Sequence, residues 1–332
     1  MRPWLRCMVV GVVSIILITT SFNAHVGAQQ EALEPLKVVQ LGDSYSAGNG
    51  ARNAAGDRNY HGVKGCYRSP TNWGSQFVAS LKERFRVTYI NRACSGAIIQ
   101  DVLEENVMED VFLDEYRTSC PLPEYPDEEK WIEPVPGICR RVLKPQIDAI
   151  DESVDLVLMT IGGNDVNFSD IVTQCFAAGP RDPAGCRNAV NKAREDLDKV
   201  GDALLTLLKR IRERLRPDAK VVLVTYPYLS LDINYQLHNR WTNDTYDAAK
   251  EIRRLGAEAD VRQRSVVKEA NDAAGQEYVI LYDGTKAIFE GHEPHPEADT
   301  RNPDRWLYEF ETRIPYEWYH YCLLYTSDAA DE

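Results

Sequence analysis

Five short apolar runs punctuate the chain, at residues 37–41, 87–91, 155–161, 220–225 and 278–282. The run at 155–161 is apolar almost throughout, without alternation, the pattern of a strand buried on both faces. Between the runs lie segments whose apolar residues recur at three- and four-residue steps. Trp73, Phe77, Leu81 and Phe85 do so within 71–85. Val190, Leu197, Leu204, Leu208 and Leu215 do so within 186–216, which Pro217 ends, and Ile252, Leu255, Ala259, Val266 and Ala270 precede a stop at Gly275. Each segment predicts an amphipathic helix with its stripe turned to the core. Strands alternating with helices predict an α/β fold, with a five-stranded parallel sheet covered by helices on both faces.

Both ends of the chain depart from this pattern. Arg2 and Arg6 precede an uncharged run at 7–22, and Val26-Gly27-Ala28 follows. A basic start, an apolar middle and small residues at the end predict a secretory signal over 1–28, removed from an exported protein. The run is shorter than the ~20 residues that span a bilayer, and no later stretch predicts a span, so no stable membrane anchor is expected. At the other end, residues 322–332 read as the in-frame translation of a sequencing-library adapter, which leaves 29–321 as one domain, expected to be truncated at its C-terminus.

Charge and cysteines narrow the class. Over 332 residues, 38 Lys and Arg stand against 51 Asp and Glu, a net charge of −13, which excludes a nucleic-acid partner held by charge. Cys7 and Cys322 lie in the two end segments, leaving Cys66, Cys94, Cys120, Cys139, Cys175 and Cys186. Six cysteines in an exported chain imply disulfides; of the fifteen possible connectivities, we expect neighbours in sequence to pair, because each pair closes a local loop. No CxxC pair or nearby His cluster supports zinc. The acidic stretch 101–135, with four prolines, reads as a solvated, disulfide-pinned insertion, calcium being the alternative. Tyr226, Tyr228, Tyr235, Trp241 and Tyr246 crowd another stretch, as an acyl pocket, a lid or a packed surface excursion.

Chemistry gathers where the strands stop. In an open parallel sheet the loops after the strands face one crevice, and three of them carry Asp43-Ser44, Cys94-Ser95-Gly96 and Gly163-Asn164. The glycines after the first strand do not form G-x-G-x-x-G, which argues against a dinucleotide site. Three blocks, Leu41-Gly-Asp-Ser-Tyr-Ser-Ala-Gly48, Asn91-Arg-Ala-Cys-Ser-Gly-Ala97 and Ile161-Gly-Gly-Asn-Asp165, each follow a strand and occur in the order found in GDSL (SGNH) hydrolases. The chain resembles the secreted bacterial esterases and lipases of that family.

The resemblance implies the flavodoxin-like SGNH hydrolase fold and a secreted serine esterase or lipase acting on small-molecule or lipid esters. It requires no cofactor and no metal, and we expect a monomer. It assigns Ser44 as nucleophile and the N–H groups of Ser44 and Gly96, with the Asn164 amide, as the oxyanion hole. A Cys66–Cys94 bridge would hold the oxyanion loop, so reduction is expected to lower activity before it unfolds the domain. The family places an acid three residues before its catalytic His, a spacing that selects Glu317 and His320 among the histidines after the fifth strand. A backbone carbonyl replaces that acid in some members, which makes His292 the alternative base. The family's fold has a closing helix after its catalytic His, which the expected truncation after 321 would remove. A polysaccharide O-deacetylase of the same family is the second reading, and a catalytically inactive binding protein on this scaffold is the third.

Overall fold

The computed structural model describes residues 33–307, apart from 54, 114–115, 178–180 and 298–299. In chain order, β1 (Glu34–Gly42) runs into the single turn α1 (Ser44–Ala47), followed by α2 (Trp73–Leu81), β2 (Phe85–Asn91) and α3 (Ile99–Leu103). Then come β3 (Asn106–Phe112), β4 (Glu129–Val135), β5 (Ile138–Leu143) and β6 (Leu156–Thr160). Helices α4 (Phe168–Cys175) and α5 (Pro183–Arg214) lead to β7 (Lys220–Val224) and the short β8 (Gln236–His238) and β9 (Thr245–Asp247). Helix α6 (Ala248–Ala274), β10 (Val279–Tyr282) and α7 (Thr285–Ile288) complete the described chain.

The five predicted strands form one sheet in the order β10-β7-β6-β1-β2, every neighbouring pair parallel. Side chains alternate across it. Val39, Leu41, Val157, Met159, Val221 and Leu223 pack against Leu204, Leu208 and Ile211 of α5 and Val266 of α6. Val38, Leu158 and Val222 point the other way and cluster with Val78 of α2. Helix α5 starts on Asp182, whose carboxylate accepts from the N–H groups of Ala184 and Gly185, and α6 ends on Gly275 at φ 65°. The helix expected over 71–85 stops at Leu81, and Phe85 opens β2 instead, paired with Glu34.

The 101–135 stretch, expected as a solvated, disulfide-pinned insertion, is pinned by the Cys120–Cys139 bridge and largely exposed, and it also contributes to a second sheet, antiparallel in the order β3-β5-β4. Its strands interleave apolar residues with Glu, Asp, Lys and Arg, and charged pairs join them across the ladder: Arg141 meets Glu109 at 3.3 Å and Arg140 meets Asp110 at 3.1 Å. Disulfides join Cys66 to Cys94, Cys120 to Cys139 and Cys175 to Cys186. Among the described residues, no helix is long and apolar enough to cross a membrane, and no group of three or more His, Cys, Asp or Glu is placed to hold a metal ion.

Candidate active site

The end of β1 turns sharply at Gly42, whose φ is 118° and where a Cβ would lie 2.1 Å from the Thr160 carbonyl oxygen. No side chain fits there. The Gly42 peptide is gripped on both sides by buried Gln146, which accepts from its N–H at 2.7 Å and donates to its C=O at 3.0 Å. Asp43 then caps α1: its Oδ1 accepts from the Tyr45 N–H at 3.1 Å and the Thr160 hydroxyl at 3.0 Å, and its Oδ2 accepts from the Tyr226 hydroxyl. Burial pushes the Asp43 carboxyl up to about 6, although these donors pull the other way. Ser46 bonds Thr160 twice, through its side chain and to its N–H. The result is a rigid seat for Ser44, whose hydroxyl has no hydrogen-bond partner among the described residues.

The second loop is locked to the first. Cys94 donates to the Gly42 carbonyl at 2.9 Å, Asn49 Nδ2 donates to Ser95 Oγ at 2.9 Å, and Ser95 N–H donates to the Cys66 carbonyl at 3.1 Å beside the disulfide. Gly96 sits at φ 83°, in the left-handed region that favours glycine. From the third loop, Asn164 Nδ2 donates to the Ala97 carbonyl at 2.9 Å, which uses one of its two N–H bonds and leaves the other free to donate. Asp165 accepts from the Ile99 N–H through both carboxylate oxygens, so this block also caps α3. Among the described residues the N–H groups of Ser44 and Gly96 have no acceptor.

Ser44 and Asn164 line a cavity of about 170 Å³ whose walls are mainly apolar. One wall comes from α5 (Leu197, Val200) and another from α6 (Leu255, Ala259). The aromatic stretch after β7 divides. Tyr226 and Tyr228 line this cavity, Tyr235 stacks on Phe176 in a separate core, and Trp241 is exposed at the β8–β9 turn.

His292 lies in the loop after α7, its ring stacked on Trp306 at 3.8 Å and its Nδ1 against the Asp304 carbonyl. It is not among the residues lining the cavity. His320 and Glu317 lie outside the described residues. Gln146, Thr160 and the bond from Tyr226 to Asp43 have no signal in the sequence, because each partner belongs to a distant segment.

The model of the GDSL-like lipase/acylhydrolase family matches residues 41–300. A lipase from Streptomyces rimosus is 27% identical over 219 residues; the match takes in 64% of this chain and spans 62% of that lipase's length. Lipase 2 from Streptomyces coelicolor is 26% identical over 311 residues, 91% of this chain and 86% of the relative. The crystal structure of phospholipase A1 from Streptomyces albidoflavus NA297 has the same fold, with a TM-score of 0.53 at 23% identity, covering 89% of this chain and 93% of that one.

Proposed function

The chain belongs to the GDSL-like lipase/acylhydrolase family, and from that membership we propose that it is a secreted serine ester hydrolase with Ser44 as nucleophile. The observation that carries this reading is that Ser44, whose hydroxyl has no partner among the described residues, lines a mainly apolar cavity together with Asn164. Ser44 Oγ attacks the ester carbonyl as its proton passes to His320, which Glu317 orients. The N–H groups of Ser44 and Gly96 and the free N–H of Asn164 take the oxyanion. Collapse expels the alcohol with the proton from His320, and water then cleaves the acyl-enzyme by the same route. His292, with Nδ1 held by a backbone carbonyl, is the alternative base.

Three disulfides and relatives named lipases fit an exported enzyme, with 1–28 as its leader. The cavity favours an acyl ester over an acetylated sugar, because an acetyl group would leave most of it unfilled. The test is release of p-nitrophenol from its esters by the full chain, with labelling by a fluorophosphonate. Ser44→Ala is expected to lower turnover by at least about a thousandfold and to abolish the label. Equal turnover by both proteins would remove Ser44 from the mechanism, and an intact, unlabelled wild-type chain would point to a binding protein. His320→Ala and His292→Ala, compared on the same ester, assign the base.

A further inference from the structure

Ion pairs join the helices that wall the cavity lined by Ser44. Helices α5 and α6 are clamped by Arg194, which meets Glu258 at 2.7 Å and Glu251 at 3.2 Å. Further along the same seam, Arg262 of α6 meets Asp202 at 2.6 Å and Asp198 at 3.2 Å. Arg262 also lies against Gly201, where a Cβ would come within 2.4 Å of its Nε, so a side chain there would displace the guanidinium. A third wall, Tyr228, is packed between the Arg253 guanidinium, 3.8 Å from the ring centroid, and Lys286, whose ammonium also pairs with Asp260 at 2.6 Å. These charged contacts join the elements that wall the cavity, and Asp260, Arg262 and Lys286 line it beside the apolar residues.

An apolar cavity of about 150 Å³ takes up benzene, so one of about 170 Å³ holds on the order of six to eight carbons. Ser44 is among the residues that line it. Resting on the ester-hydrolase reading of Ser44, we propose that this cavity binds one unbranched acyl chain of about six to eight carbons, and that Ala259 limits the length accepted. Ala259 lines the cavity from α6 with a single methyl group, near Leu255 on the same helix. A larger side chain there displaces acyl methylenes directly.

The experiment compares the full chain with Ala259→Phe and Leu255→Ala on p-nitrophenyl acetate, butyrate, octanoate, decanoate and palmitate. Octanoate is expected to give the highest kcat/KM. Ala259→Phe should lower the octanoate-to-butyrate ratio of kcat/KM by at least about thirtyfold, and Leu255→Ala should move the optimum toward decanoate. In parallel, the Ser44→Ala chain, which keeps the cavity without turnover, is titrated calorimetrically with butyrate and octanoate. Octanoate should bind at least about tenfold more tightly, and adding Ala259→Phe should erase that advantage. Octanoate binding no tighter than butyrate, or chain-length profiles identical in folded Ala259→Phe and Leu255→Ala, would overturn the assignment. Should Ala259→Phe fail to give a cooperative melt, Leu255→Ala and the titration decide the matter. Chain-length-dependent binding without Ser44-dependent turnover would retire the hydrolase reading and leave the acyl site standing.

Discussion

At the Ser44 end of the cavity, Asp43, Ser46, Gln146, Thr160 and Tyr226 fix the backbone through hydrogen bonds that join β1 to segments more than a hundred residues away. At the α5–α6 end, Leu197, Val200, Leu255 and Ala259 line the same cavity with apolar side chains that make no hydrogen bonds of their own. Directional bonds in a buried site fail when one partner is removed, whereas packed apolar walls tolerate changes of volume. The two ends can therefore differ in what they control. On the proposed function, the polar end would set whether any ester reacts and the apolar end which acyl chain is preferred.

The widest test of that division is Asn164→Ala. Losing one oxyanion donor typically costs ~3 kcal/mol, so kcat should fall by roughly two to three decades for acetate and octanoate esters alike. A loss confined to long chains would erase the distinction between the two ends.

Next in size is the pH dependence stored at Asp43. Its folded pKa of about 6 lies above that of a free carboxylate, so between roughly pH 4 and 6 the folded protein keeps a proton that the unfolded chain has lost. The stabilisation is full below about pH 4, declines as pH rises and is gone above the folded value, a change of about 3 kcal/mol. Asp43→Asn removes this titration. The urea unfolding free energy of wild type minus variant should therefore drop by about 3 kcal/mol from pH 4 to 7. A difference that is flat with pH would mean that Asp43 titrates like an exposed carboxylate.

Tyr226→Phe should be smaller. The hydroxyl donates to Asp43 and accepts from the Gly163 N–H at 3.3 Å, so it ties the residue before Ser44 to the residue before Asn164. We expect kcat to fall about tenfold with KM for the acetate ester within about twofold, the signature of lost positioning and not of lost binding. The midpoint of the Asp43 titration should also rise, because this bond lowers its pKa. An unchanged kcat would assign Tyr226 to the apolar wall alone. Smallest of all, Leu197→Ala should change turnover by less than about fivefold and only for acyl chains longer than butyryl.

Much of this molecule was legible in its sequence, for local reasons. The five sheet strands are dense apolar runs, and the long helices carry stripes at helical spacing. Ser44, Gly96 and Asn164 each follow a strand end among small residues, where a parallel sheet presents its loops. The antiparallel β3-β5-β4 sheet was not legible, since exposed strands rich in Glu, Asp and Arg look like solvated chain until their ion pairs are seen across the ladder. Gln146 was not legible either, as its two bonds to Gly42 cross 104 residues, nor was the Tyr226 bond to Asp43, which crosses 183.

The sequence by itself determined which residues could react, because backbone geometry and side-chain chemistry at a strand end are fixed within a few positions. Only the tertiary structure decided how they are held and what stands behind them. Burial that raises the Asp43 pKa, the clamps that hold α5 to α6, and the cavity between those helices all arise from groups far apart in the chain. Their energies depend on desolvation and distance, which exist only once the chain has closed around them.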